Sequence, residues 1–402
     1  MTRSISRRAA LAGLGLAAGS AGCLGRTENI AGRDLHSQLT LEINAPPADA
    51  DPNGIRIARQ LEEHLSAVGI DVRLNTVGPT NLWRKVLINQ NFDIYVGQFV
   101  DPEPFDPDAL YGLTHSKFVA ESGWQNPFGL TEIAVDDLLE RQRRAAGAER
   151  ADAVDALQET VCELQPFSVV AFPDAITAVR ENRFEGWTSG QPLSVSGLLA
   201  LDAAGDGSAI DGATAGTARS GDADADPDVL RLVTTDDRIT ENWNPIAAEY
   251  RRYGTFTGLL YDPLVRTDGE STVPWLAADW ERPGANTVDV ALRDARWHDG
   301  EPVTASDVAF TYRFLRDTSL GSVETSVPTP RFRGRSSLVE DERVLDDSTV
   351  RLTVPDVNET VAARALRVPI LPEHVWSERT DAATIGGFEF DFETTEAVVS
   401  NN

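Results

Sequence analysis

Lysine is almost absent from this chain of 402 residues: Lys85 and Lys117 are the only two among 36 basic side chains, against 63 acidic ones. The net charge of -27 and a pI near 4.5 argue against a nucleic-acid partner, because a phosphate-binding surface needs clustered lysine and arginine to release counterions. A surface so acidic and lysine-poor repels itself at low ionic strength and stays soluble where salt screens it, the pattern of a halophilic source; an ordinary acidic secreted protein is the alternative. The five histidines, His36, His64, His115, His298 and His374, are scattered without metal-ligand spacing, so no local motif for a metal is expected. No GxSxG elbow, phosphate-cradling glycine loop or dinucleotide fingerprint is present either, so no cofactor and no enzyme activity are expected. Any single pair of carboxylates among so many is uninformative.

Only two cysteines are present, Cys23 and Cys162. Residues 1–25 read as an export signal and not as structure. Arg7 and Arg8 form a twin-arginine pair, and the apolar run from Ala9 to Ala21 is shorter than the roughly 20 residues a membrane span needs. Ser20-Ala21-Gly22-Cys23 has the form of a lipobox, with small residues before a cysteine that becomes the lipidated N-terminus; a cleaved signal with an incidental cysteine is the alternative. Lipidation of Cys23 would place the chain on the outer face of the cytoplasmic membrane, exported folded by the twin-arginine route. It would also leave Cys162 without a disulfide partner. Cys162 lies beside an apolar stripe of Val154, Leu157, Val161 and Leu164, where a buried, unreactive thiol is expected.

The chain is too long for one core, so two domains are expected. In a first block, residues 37–200, the segment 39–45 reads as a strand. Ile57, Leu61, Leu65 and Val68 put an apolar face on a following helix that stops at Gly69, and Ile70, Val72 and Leu74 alternate as a second strand. Such a strand-helix-strand unit favours parallel pairing. A helix from about Asn81 to Asn89, a strand from Phe92, helices over 132–144 and 149–164, and a strand from Phe167 to Phe172 complete the block. Residues 201–228, rich in Gly, Ala, Ser and Asp, read as a flexible acidic linker. A second block fills 229–402.

Within that second block, the run from Val273 to Leu315 carries the sharpest signals. Val288, Val290 and Leu292 alternate as a half-buried strand, Asp299-Gly300 supplies a turn, and Thr304 with Asp307 forms a capping-box-like pair ahead of Val308, Phe310, Phe314 and Leu315 at helical spacing. Spelled P-W-L-A…W…L-R…W-H-D-G-E-P-V-T-A-S-D-V-A-F-T-Y, this run resembles the signature of family 5 extracellular solute-binding proteins, the peptide- and nickel-binding components of ABC importers. The resemblance reaches back through Leu230–Thr235, Trp243-Asn244-Pro245 and Leu260–Val265, and forward to Pro369–Trp376. The first block resembles the part that ordinarily lies at the family's C-terminal end. Tail, linker and head in that order imply a circular permutation, which is physically cheap when old termini lie close together on the surface; the family's middle segment is missing from the pattern.

The resemblance implies an α/β fold, a periplasmic-binding-protein-like (type II, family 5) lobe with mixed sheets in permuted order. It implies no bond-breaking, a small peptide or similar solute as ligand, and ABC permease subunits as partners. Asp101 matches an acidic position that pairs with the ligand's α-amino group in peptide-binding members; the alternative is a turn role in a loop that also holds Pro102, Pro104 and Pro107. Gln98 stands where tryptophan is common in the family, and Phe99 and Trp243 are the aromatic candidates to replace it, or else are core residues. His298 is expected to be satisfied by backbone within a structural turn. A ligand-free surface scaffold derived from a binding protein is the second reading.

Overall fold

The computed structural model describes residues 39–98, 106–172, 177–179, 183–187, 192–203, 229–232, 243–247, 255–268 and 271–379. Most of the 201–228 linker, residues 233–235 of the family's first-strand resemblance, and the ends of the chain therefore lie outside the described residues. The architecture is α/β.

The first block opens with β1 (Thr40–Ala45), α1 (Pro52–Ala67) and β2 (Asp71–Thr76). Asp51 starts α1 by accepting the N–H groups of Asn53 and Gly54 at 3.2 and 2.9 Å, and Pro52 occupies the first turn, where its missing N–H costs nothing. Gly69, at φ +89, ends it. The helix lays Ile55 and Ala58 on Ile43 and Ala45 of β1, with Leu61 and Leu65 half-buried beside them. Val68 is not part of that face: it is the C-cap, already turned into solvent. A short helix α2 (Pro79–Trp83) continues as one π turn to Ile88 and leads to β3 (Ile94–Tyr95). All three strands pair in parallel, in the order β2-β1-β3.

Helices α3 (Ala109–Thr114), α4 (Ile133–Arg144) and α5 (Gly147–Leu164) follow. Tyr111, Phe118, Val135, Leu139, Leu157 and Val161 form their common core. The buried positions of α5 are Ala153, Leu157 and Val161, stepping by four. Cys162 is one residue further round the helix and is exposed, which corrects the expectation of a buried thiol. The strand expected over 167–172 is also absent. Gln165 ends α5 in the left-handed conformation, and the run beyond it meets no neighbouring strand among the described residues; a β-rich sequence needs a ladder partner to become a strand. Val169, Val170 and Phe172 stand in solvent as a result, Phe172 at 90% exposure. The block closes with β4 (Phe184–Glu185), α6 (Val195–Leu199) and β5 (Asp202–Ala203), so the first residues of the expected linker are a strand paired antiparallel with β4.

In the second block α7 (Thr255–Leu260) lies against α6, and β6 (Val265–Asp268) and β7 (Ser271–Pro274) form a hairpin. Leu230, Arg231 and Leu232 are described but lie in no strand. An antiparallel sheet, β10-β11-β9-β8, is built from β8 (Ala277–Gly284), β9 (Thr287–Leu292), β10 (Asp341–Asp346) and β11 (Thr349–Thr353). Its inner face carries Val288, Val290, Leu292, Val350 and Leu352, every second residue, as the alternation predicts. Against that face packs α8 (Ala305–Arg316), which buries Val308, Phe310, Tyr312, Phe314 and Leu315. The expected cap is present: the Asp307 carboxylate accepts the Thr304 N–H at 2.8 Å. The same carboxylate accepts the N–H of Glu373 at 2.9 Å, and the Thr311 hydroxyl accepts that of Leu371 at 2.9 Å, so α8 also pins the chain leading into α11 (Glu373–Trp376).

No strand pairing joins the two blocks among the described residues; a buried polar seam does. It runs between α3 and α4 on one side and α9 (Arg333–Ser336) and α10 (Glu359–Ala365) on the other. The Asn358 side chain caps α10 by accepting the Val361 N–H at 3.0 Å, and donates to the carbonyls of Gln142 and Ala145 at 3.1 and 2.9 Å. Arg333 grips Glu121 through two bonds of 2.7 and 2.8 Å. Gly112 and Gly334 meet backbone to backbone, where a Cβ on either would come within 3.2 Å of the other's Cα. Replacing Asn358 with Ala removes a helix cap and strands two carbonyls in the seam. We expect a loss of about 2–4 kcal/mol, read as a lowered urea midpoint; a midpoint within error of the wild type would mean that the seam contributes nothing.

Candidate functional site

The parallel sheet fixes where a crevice must open. β1 is central; the chain leaves it through α1 toward β2 on one side, and reaches β3 on the other through α2. The loops that follow β1 and β3 therefore diverge at the carboxyl ends of these strands, the switch-point position at which open α/β sheets bind ligands. Residues 46–51 form one flank and Val96-Gly97-Gln98 the beginning of the other.

Period-two alternation sorts the side chains of β1. Ile43 and Ala45 go to α1, so Glu42 and Asn44 occupy the opposite face, beneath α2 and its π turn. Lys85 from that turn pairs with Glu42 and holds its carboxyl below the ordinary range. Asn44, fully buried, accepts from the Asn75 amide at 3.2 Å, while its own Nδ2 has no partner. Its register neighbour on β3 is Tyr95, whose hydroxyl is likewise unpaired. Burial first, and then the negative charge of Asp51, push that phenol up and keep it neutral. Two hydrogen-bond donors thus lie buried and unused at adjoining strand ends, a costly arrangement for groups with no other task. A Cβ at position 97 would fall 1.8 Å from the Tyr95 hydroxyl, so a larger residue there would have to displace that ring.

Aromatic rings stand beside these donors. Trp83 meets Tyr95 edge-on at 5.9 Å and Trp124 at 5.0 Å, all three half-buried. Trp124 also reaches the second block, its backbone N–H donating to the carbonyl of Pro330 at 2.9 Å.

Of the residues singled out from sequence, Gln98 is half-buried at the end of the β3 loop. Trp243 is 51% exposed in a short turn in which Asn244 accepts the Ile246 N–H at 3.0 Å and Arg331 holds the carbonyl of Pro245 at 2.9 Å. Phe99, Asp101 and Cys23 lie outside the described residues. Asn44, Tyr95, Trp83 and Trp124 were missed by sequence reasoning; the signal available for Asn44 was a polar residue on a strand face that a helix covers. Among the described residues no group of three or more His, Cys, Asp and Glu is placed to hold a metal ion, and no helix is long and apolar enough to cross a membrane.

Residues 271–397 match the family described as bacterial extracellular solute-binding proteins, family 5 Middle. Over these residues the chain is similar to the family 5 solute-binding proteins. Proteins of Brucella ovis and Brucella abortus, named as ABC transporter peptide-binding proteins, are 33% identical over 138 residues, which is 33% of this chain and 24% of theirs. The chain thus spans about a quarter of the length of these relatives. Similar solved structures include the periplasmic oligopeptide-binding component of an oligopeptide ABC transporter from Thermotoga maritima, 25% identical with a TM-score of 0.30 over 39% of this chain and 26% of that one. NikZ from Campylobacter jejuni in complex with Ni(L-His) is 20% identical, with a TM-score of 0.29 over 40% and 29%.

The W-H-D-G turn has a partner that its sequence did not reveal. Gly300, at φ +94, closes the turn, and the Asp299 carboxylate lies 2.7 Å from Nε2 of His374, which is carried 75 residues away on α11. His298, expected to be held by backbone, is exposed instead. The hydrogen bond that the ring donates to the Asp299 carboxylate raises the His374 pKa above its ordinary value of 6.5. A group whose folded pKa is raised contributes stability that is fully present below the unfolded value and is lost as pH rises through the folded one. We therefore expect the His374 ring protons to titrate above 6.5 by NMR and to return toward that value in Asp299→Asn; identical titrations in the two proteins would dissolve the pair.

Proposed function

We propose that the chain is the solute-capturing component of an ABC importer, taking a small peptide or similar solute and delivering it to permease subunits. One observation carries this reading: residues 271–397 match the family 5 solute-binding proteins. Two curated relatives named as peptide-binding proteins support the solute class. Capture of this kind breaks no bond; the energy of binding shifts a population of conformations.

The crevice at the ends of β1 and β3 is the assigned capture site. Its buried donors on Asn44 and Tyr95 suit a carbonyl or carboxylate oxygen of the solute. Asp101, three residues past Gln98, suits an α-amino group, and Phe99 and Trp243 are retained as aromatic contacts. In the permuted arrangement, residues 37–200 are the family's tail and 229–402 its head; the seam through Asn358 and Arg333 supports the two as parts of one body. Lipidation at Cys23 after twin-arginine export would hold the protein at the outer face of the membrane, in a salt-rich medium that its lysine-poor surface tolerates. Fractionation checks this: Cys23→Ser is expected to leave the membrane for the soluble fraction, and retention would remove the anchor.

Tryptophan fluorescence tests capture itself, because Trp83 and Trp124 border the crevice. Titration with a panel of di- to pentapeptides is expected to give a saturable change, with affinity reduced about 10- to 100-fold in Asp101→Asn if the carboxylate holds the ammonium. A flat response across the panel would leave the ligand-free scaffold as the standing reading.

A further inference from the structure

We propose that the seam between the blocks binds a monovalent halide, chloride in ordinary media, against the guanidinium of Arg364. The Arg364 side chain is only 3% exposed. Its one ionic partner among the described residues is Asp108, and the contact is loose: Nε lies 3.4 Å from Oδ2 and makes no hydrogen bond, while Nη1 has no acceptor at all. Asp108 is already committed elsewhere. Its Oδ1 accepts from Gln142 at 2.9 Å and from Nε of Arg143 at 2.5 Å, and its Oδ2 accepts from Nη2 of Arg143 at 3.1 Å. Arg143, also 3% exposed, completes its own pairing on the carbonyl of Gly334 at 2.7 Å. One carboxylate therefore faces two buried guanidinium groups, and the second keeps both its charge and its unused donors.

That surplus cannot be relieved by losing a proton, because arginine stays ionised in proteins. An unpaired buried charge costs several kcal/mol. A trapped water would supply an acceptor but no charge, whereas a small anion supplies both. The contact between Gly112 and Gly334 draws α3 against α9, which itself packs on α10, and favours a compact ion over a polyatomic one.

Crystals soaked in sodium bromide supply the first test, with an anomalous peak expected beside Nη1 of Arg364. Thermal unfolding in sodium chloride against sodium gluconate at matched ionic strength supplies the second. Chloride should raise the wild-type Tm by ~2–5 °C for each tenfold increase above its Kd, and should do nothing specific for Arg364→Met. In gluconate the variant should equal or exceed the wild type, since it no longer buries an uncompensated charge. Equal melting in both salts, or no bromide peak, overturns the proposal in favour of a bound water. A peak without chloride-specific stabilisation means an adventitious ion only, and overturns it too. If Arg364→Met does not fold, the wild-type arms decide the question alone.

Discussion

The carboxylate of Asp108 is the constraint on which the arrangement of this molecule depends. It lies just before α3, is 1% exposed, and faces guanidinium groups from both blocks, Arg143 of α4 and Arg364 of α10. Arg143 also stacks 3.1 Å over the ring of Tyr111, whose hydroxyl donates to Glu140 at 2.6 Å, so the pairing reaches into the core of the first block. Removing Asp108 or Arg143 would strand the other's charge in the interior, which costs far more than the pair contributes over apolar packing. Its value is in specificity: Arg143, Asn358 and Arg333 each bond across the junction, so a placement of the helices must satisfy all three together.

Close backbone contacts reinforce that placement. Gly123 adopts φ +113, and a Cβ there would fall 2.3 Å from the carbonyl of Pro330. The loop that contains it is tied to the π turn by the Gly123 N–H on the Leu87 carbonyl at 2.8 Å, and to the second block by Trp124 on Pro330. Ile88, from the same turn, packs on the core of the second block. The scarcity of lysine takes on a structural meaning in this context. Lys85 is spent on Glu42 beneath the crevice, and Lys117 donates to the hydroxyl of Tyr111 at 2.7 Å, its ammonium pushed down to about 8 by burial. Neither lysine serves as a free surface cation, so positive charge at the surface falls to arginine.

What sequence could reveal depended on how local the determining interactions are. Strand β9, the Asp299-Gly300 turn and the cap of α8 were legible because each is fixed by residues within a few positions, and the parallel pairing of β1 with β2 followed from the helix between them. Residues 167–172 misled because strand formation requires a partner that local sequence does not supply. Cys162 misled because the stripe beside it marks a face only to within about 100° of rotation, one residue of helix. The pairing of His374 with Asp299, and the seam itself, join residues 75 and more than 200 positions apart, and no spacing rule connects them. The candidate site was half legible: the loop after β3 stood out from its resemblance, but Asn44 and Tyr95 become a pair only through the register of β1 with β3.

The proposed crevice and the seam are linked through Trp124, which contacts both Trp83 and Pro330. Its ring stands against Trp83, and its backbone N–H donates to the carbonyl of Pro330 of the second block. Gln125 repeats the link one residue on, donating to the carbonyl of Thr329 at 3.2 Å while 1% exposed. A displacement of the 329–332 segment relative to α2 therefore moves an aromatic wall of the crevice directly, without an intervening flexible chain. Conversely, a solute that fixes that ring favours one placement of the two blocks over others, by as much as its affinity differs between them. A binding site set on the sheet alone would be indifferent to how the blocks meet; one whose wall is borrowed from their junction is not.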